Sequence, residues 1–214
     1  STVSINSGAR NVNVLNNKFD GKNIAGARGL DTANNVDGVI ARGNNFTGLT
    51  LASRVRPGGD NIDIRANNFE DNHSAIQVVD GDGGVTIRGN RLTDNQIGIR
   101  ISGTGTVDQI SNNRFRDNVN HIVYLNGAGQ DLDLGPTNPN LFWYDGAFKT
   151  TLDLSREQLF DVENHIRHKM DNGAYGIVEI LTDNLFATSS NLGIQHGVDI
   201  ASVGDTINVD AGTW

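Results

Sequence analysis

The stretch Ile62-Asp63-Ile64-Arg65-Ala66-Asn67-Asn68-Phe69-Glu70-Asp71-Asn72 returns 23 residues later as Val85-Thr86-Ile87-Arg88-Gly89-Asn90-Arg91-Leu92-Thr93-Asp94-Asn95, altered in identity but not in pattern. At the heart of each copy is an Asn-x-[Phe/Leu] triplet. Its large apolar residue recurs at Phe19, Phe46, Phe69, Leu92 and Phe115, in steps of 27, 23, 23 and 23 residues, and its asparagine at Asn17, Asn44, Asn67, Asn90 and Asn113. Periods in the twenties belong to solenoids, in which no unit can bury its own apolar face and neighbouring units stack into one core.

Other columns keep the same register. Seven and five residues before the anchors stand Val12 and Val14, Val39 and Ala41, Ile62 and Ile64, Val85 and Ile87, then Asp108 and Ile110. This period-two alternation is that of a short strand with one buried face. Ile76 and Val78, Ile99 and Ile101, and Ile122 and Tyr124 form a second apolar pair after the anchor, so each coil carries at least two strands. Asparagine suits the bends because it tolerates a left-handed backbone, and amides stacked about 4.8 Å apart can bond to one another as a ladder. Asn72, Asn95 and Asn118 make a second such column. A narrow core with many turns accounts for 26 glycines and a hydrophobic fraction of only 36%.

The triplets Asn17-Lys18-Phe19, Asn44-Asn45-Phe46, Asn67-Asn68-Phe69, Asn90-Arg91-Leu92 and Asn113-Arg114-Phe115, with the strands around them, resemble the right-handed parallel β-helix repeat proteins. That superfamily includes pectate lyases, polygalacturonases, uronan epimerases, phage tailspikes and many bacterial surface proteins. The resemblance covers roughly residues 10–134. It implies an all-β solenoid of about five coils over residues 1–134 and an extracellular or cell-surface location in a bacterium. It does not imply one activity, since the same solenoid carries many chemistries and also none.

Beyond residue 134 the reading changes. Gly135-Pro136-Thr137-Asn138-Pro139-Asn140 holds two of the three prolines and marks a boundary. Residues 135–190 read as a capping and linking subdomain, in which Leu141, Phe142, Trp143, Tyr144 and Phe148 close the solenoid core. Ser155-Arg156-Glu157-Gln158 is a capping box, predicting a helix over about 155–171 with Leu159, Val162, Ile166 and Met170 on one face. Strands at 177–181 and 185–188 would then form a hairpin. Residues 191–214 read as a short helix and a strand resembling the start of another β-helix. The chain is therefore expected to be a piece of a longer, tandem protein, or its last strand to pair with a neighbouring molecule's first coil.

A net charge of −8 argues against a general nucleic-acid binder, and no apolar run suggests membrane insertion. With no cysteine, disulfides and thiolate metal sites are excluded. Arg42, Arg65 and Arg88 share a column whose parity puts them outside; Lys18, Arg91 and Arg114 add cations just before the anchors, and Arg54 and Arg100 lie on the next strand. Because the guanidinium fork matches a carboxylate, Arg42, Arg65, Arg88, Arg91 and Arg114 are the candidate ligand-binding residues, for an acidic polysaccharide. The alternative is that they pair with Asp63, Glu70 and Asp94 on a solvated sheet.

No catalytic residue is assigned. The hydrolases of the resembled superfamily show Asn-Thr-Asp, Asp-Asp and Gly-His-Gly motifs and its epimerases an Asp-Pro-His, none of which occurs here. Asp63 with Arg65, or Asp80 and Asp82 with Arg88, would imitate a lyase site. No cofactor is expected, with calcium the one candidate, at Asp80-Gly81-Asp82-Gly83-Gly84 or Gly127-Ala128-Gly129-Gln130-Asp131. His165 and His168, with Asp161 a turn earlier, have a metal-ligand spacing, but a solvated helix face with an Asp161–His165 pair is the favoured reading. His121 shows no companion. The sequence thus predicts a rigid structural or adhesive module touching acidic glycans. The alternative is a uronate-glycan lyase, hydrolase or epimerase, and a third reading is a self-assembling filament or surface-layer subunit.

Overall fold

A computed structural model describes residues 2–80, 84–103, 107–125, 131–135 and 139–211. The chain winds through three parallel sheets in turn, forming the right-handed parallel β-helix expected. Among the described residues, sheet 1 holds seven strands: Val3–Ile5, Arg28–Thr32, Leu51–Val55, Ser74–Val79, Ile97–Ser102, Asn120–Tyr124 and Ile166–Arg167. Sheet 2 runs from Arg10–Leu15 through Asp37–Arg42, Asp60–Arg65 and Val85–Arg88 to Gln109–Ser111. The short strands of sheet 3, such as Asn68–Glu70, Arg91–Thr93 and Arg114–Arg116, carry the anchors. Each 23-residue step places like on like, as in Ile62 beside Val85 and Ile64 beside Ile87.

The asparagine column is a buried ladder. Asn67 donates from its backbone N and from Nδ2 to Asn90 Oδ1, both at 3.0 Å, and Nδ2 donates again to the carbonyl of Ala41 at 2.9 Å. The same set repeats from Asn44 to Asn140, so these buried amides are hydrogen-bonded on both sides. Asn72, Asn95 and Asn118 repeat the arrangement at the next corner. The ladder asparagines themselves are not left-handed, contrary to the sequence expectation. That conformation falls on the residue before: Asn16, Gly43, Ala66, Gly89 and Asn112 all have φ between 50° and 68°. The left-handed residue turns the corner, and the asparagine after it points inward.

The anchors stack inside. Phe19, Phe46 and Phe69 lie ring on ring at centroid separations of 4.6 and 4.7 Å, and Phe115 and Phe142 continue the column beyond Leu92. Phe142 shows that the solenoid does not stop at residue 134. Asn140-Leu141-Phe142 is a sixth triplet, 27 residues after the fifth, and Leu141–Tyr144 pairs in parallel with Arg114–Arg116. Phe142 is thus a further anchor, while Trp143 and Phe148 pack outside it across an antiparallel turn to Ala147–Thr150.

The last part departs from the sequence reading in three further ways. The capping box forms, with Gln158 N donating to Ser155 Oγ and Ser155 N donating to Gln158 Oε1, but helix α1 spans only Arg156–Asn164. Ile166 leaves the helical face because it pairs beside Ile122 at the otherwise open edge of sheet 1. The expected hairpin is reduced to one antiparallel bridge between Leu181 and Asn184; Val178–Glu179 pairs in parallel with Leu132–Asp133 and Asn184–Ala187 with Thr206–Val209. After α2 (Gly193–Ile200), the final strand therefore pairs within its own molecule. No helix among the described residues is long and apolar enough to cross a membrane. Residues 81–83, 126–130, 136–138 and 212–214 lie outside the described residues, taking in most of both candidate calcium loops.

Candidate functional site

Two regions of the surface gather chemistry. The first is the corner between sheets 2 and 3. Strands of sheet 2 end on Arg42, Arg65 and Arg88, which stand in one register column. Three residues later, sheet 3 begins on Asn45, Asn68 and Arg91, with Arg114 next in line. The left-handed residue and the ladder asparagine fill the interval, so the two cation columns flank one corner.

Their surroundings differ. Asp63 accepts from Arg65 Nη1 at 2.7 Å and from Arg88 Nη2 at 2.9 Å and Nε at 3.2 Å, so the pairing alternative holds for these two arginines. Arg42 is exposed. Arg91 donates from Nε to Thr93 Oγ1 at 3.2 Å, and Arg114 lies over the Phe148 ring at 5.5 Å. Arg91 and Arg114 share a depression of about 690 Å³ with Ala66, Asn68, Gly89 and Asn112, and no carboxylate among the described residues lines it. On sheet 1, Asp31 collects Arg54, Arg56 and Arg28 at 2.6, 3.2 and 3.1 Å. Burial opposes the charge of Asp31, but the Arg54 and Arg56 guanidiniums more than offset it and hold the carboxyl well below its usual range. Two positions beyond Arg54 in this outward column, Arg100 has a buried Nε with no hydrogen-bond partner.

The second region was not legible as a site. At the start of the six sheet 1 strands from Arg28–Thr32 onward, one register position is occupied in turn by Gly29, Ala52, Ala75, Gly98, His121 and His165. Small residues dominate because a Cβ on Gly29 would lie 2.4 Å from the carbonyl oxygen of Ala52 and 2.8 Å from the Phe46 ring. Two successive coils then put imidazoles there, with centroids 5.1 Å apart. His121 sits beside the Phe115 and Phe142 rings, whose separation widens to 5.4 Å. Burial, and secondarily His165, pushes the His121 pKa down to about 3, so this ring is neutral.

His165 is fixed from one side. Its Nδ1–H donates to the carbonyl of Val119 at 3.0 Å, and its Nε2 faces Asp161 Oδ1 at 4.0 Å. The other oxygen of Asp161 accepts from Tyr144 Oη at 2.6 Å. Burial and the adjacent Asp161 both raise the Tyr144 pKa, keeping the phenol protonated. Both histidines, Asp161 and Tyr144 line a depression of about 430 Å³, one wall of which is the Trp143 ring with Arg116 packed over it at 4.6 Å. The suggested pairing of His165 with His168 does not form. His168 is buried, donates from Nε2 to Glu163 at 2.7 Å, and accepts the Val178 N–H on Nδ1 at 3.0 Å, a purely internal arrangement.

Comparison with known proteins adds one finding. No curated protein and no solved structure matches the chain. The family described as periplasmic copper-binding protein (NosD) matches residues 4–140, which takes in five of the six anchors and runs to the sixth ladder asparagine. The chain belongs to the NosD family.

Proposed function

We propose that the chain is a rigid β-helix module working outside the bacterial cytoplasm and contacting acidic glycans at its arginine-lined corner. The family's periplasmic description agrees with that location. The observation that carries the contact is the depression holding Arg91 and Arg114 with no carboxylate among the described residues that line it, on the corner where the exposed Arg42 also stands. Arg65 and Arg88 contribute less, because Asp63 already engages them.

The test is binding of a uronate polymer and of a neutral dextran to the purified chain at two salt concentrations. Uronate alone should bind, and the Arg91→Glu, Arg114→Glu double variant should weaken it at least about tenfold, the scale of one lost charged contact. Equal binding of both polymers, or no effect of the double variant, overturns the reading. Shortened uronate chains after incubation would establish the enzymatic alternative.

A second reading concerns metal. The sequence predicted no cofactor, with calcium the one candidate, whereas the family description names copper. Among the described residues no three His, Cys, Asp or Glu side chains are gathered as a metal site, so the copper of the family description is not assigned to residues of this chain.

A further inference from the structure

We infer that the depression walled by Trp143 is a binding site for an acetamido sugar, an uncharged N-acetylated hexosamine ring. The site goes beyond the arginine corner and does not rest on it.

Two polar columns turn apolar where they border this depression. On the outer face of sheet 3, Asp20, Thr47, Glu70, Thr93 and Arg116 stand in register, and Trp143 follows them. At the entry to sheet 1, Thr50, His73 and Gln96 are followed by Val119, which is 63% exposed. Neither Trp143 nor Val119 belongs to the solenoid core, and both line the depression. Trp143 is fixed by its edge-on contact with the Phe148 ring at 4.9 Å and by Arg116 at 4.6 Å, so the wall is preformed and loses little freedom on binding.

The polar groups opposite set the chemistry. One oxygen of Asp161 accepts from Tyr144, while the other stands 4.0 Å from His165 Nε2, too far for a hydrogen bond, and so keeps lone pairs for a ligand N–H. His165 Nε2 faces the same gap and suits a sugar hydroxyl, which both gives and takes hydrogen bonds. Arg116 donates from Nε to Asp117 at 2.9 Å, so these two charges offset each other, and Asp161 adds a further negative charge. A uronate or phosphate is repelled, and a cationic head group meets a Trp143 ring already under Arg116. What fits is an uncharged amide bearing a methyl, with its N–H on Asp161, its methyl between Val119 and Trp143, and the ring hydroxyls towards His165. A depression of about 430 Å³ is of the size that holds one small ligand.

The experiment is calorimetric titration of the purified chain with N,N′-diacetylchitobiose and with cellobiose, which carries hydroxyls in place of the acetamido groups. The acetylated sugar should bind at least about tenfold more tightly, and saturation-transfer NMR should mark its acetyl methyl as the group in closest contact. Trp143→Ala and Asp161→Asn should each weaken it at least about tenfold. Val119→Asp, at an exposed position where folding is not at stake, should do the same, with far-UV circular dichroism unchanged in all three. The exposed His73, changed to Ala, should leave binding intact. Equal binding of the two sugars, no binding of either, or full binding by both Asp161→Asn and Val119→Asp overturns the inference and leaves the uronate reading of the arginine corner untouched.

Discussion

At the scale of single residues, buried amides and one carboxylate set the energetics. Removing the side chain of Asn90 leaves the backbone N–H and Nδ2 of Asn67 without their acceptor and takes a donor from the carbonyl of Ile64. Each orphaned buried group costs about 1–3 kcal/mol, so Asn90→Ala should lose at least that much in urea denaturation. Asn17→Ala, at the exposed end of the ladder, should stay within about 0.5 kcal/mol of wild type. Asp31 adds a pH dependence. Its folded pKa is depressed, so the stabilisation is complete above the unfolded value of about 3.9 and is lost as pH falls through the folded value. Between about pH 4 and pH 2 the wild-type urea midpoint should therefore fall more steeply than that of Asp31→Asn, which should be the less stable protein at neutral pH. Parallel curves would mean that the three arginines do not act through Asp31.

At the scale of elements, what the sequence could show depended on how faithfully each coil kept its 23-residue step. Truncating one ring in the regular part opens a void between neighbours that cannot close, so Phe69→Ala should cost about 3–5 kcal/mol, measured as a shift in urea midpoint. Ser155→Ala should cost about 1 kcal/mol by the same measurement, through the cap of α1 alone. Both features were readable locally: the triplet from its spacing and the cap from four consecutive residues. Asn140-Leu141-Phe142 was equally readable, but two prolines beside it read as a terminus. The spacing of Leu159, Val162, Ile166 and Met170 fits a helix, yet the open edge beside Ile122 captured Ile166, a competition between helix face and sheet edge that local pattern cannot decide. His121 and His165 are 44 residues apart because the coil between them carries the hairpin and α1. Their shared column follows from pairing across that enlarged coil and from nothing nearby in sequence. The arginine columns were legible as columns, but Asp63's hold on only two of them depends on side-chain reach, which register alone does not give.

At the scale of the whole molecule, the repeat makes coils interchangeable to the extent that each touches only its neighbours. Deleting residues 68–90 removes one full coil and joins Asn67 to Arg91. Every column then meets a residue of its own kind: Arg91 replaces Asn68 beside Asn45, Leu92 replaces Phe69 beside Phe46, and Asn113 replaces Asn90 as the acceptor for Asn67. The deleted chain should keep a β-rich circular dichroism spectrum and unfold cooperatively, with a urea midpoint lowered by the loss of one coil and its interface. A deletion of half that length, 68–79, moves sheet 2 residues against sheet 1 residues and inverts which side chains face the core, so it should yield no cooperative unfolding. The cap of α1 provides a second readout, since it lies wholly beyond the deletion. If the shortened solenoid is a true stack of independent coils, Ser155→Ala should shift the urea midpoint of the 68–90 deletion by as much as it shifts that of the full chain. A changed cost would show that the removed coil acts beyond its neighbours, and an unfolded product would show that the coils are not interchangeable at all.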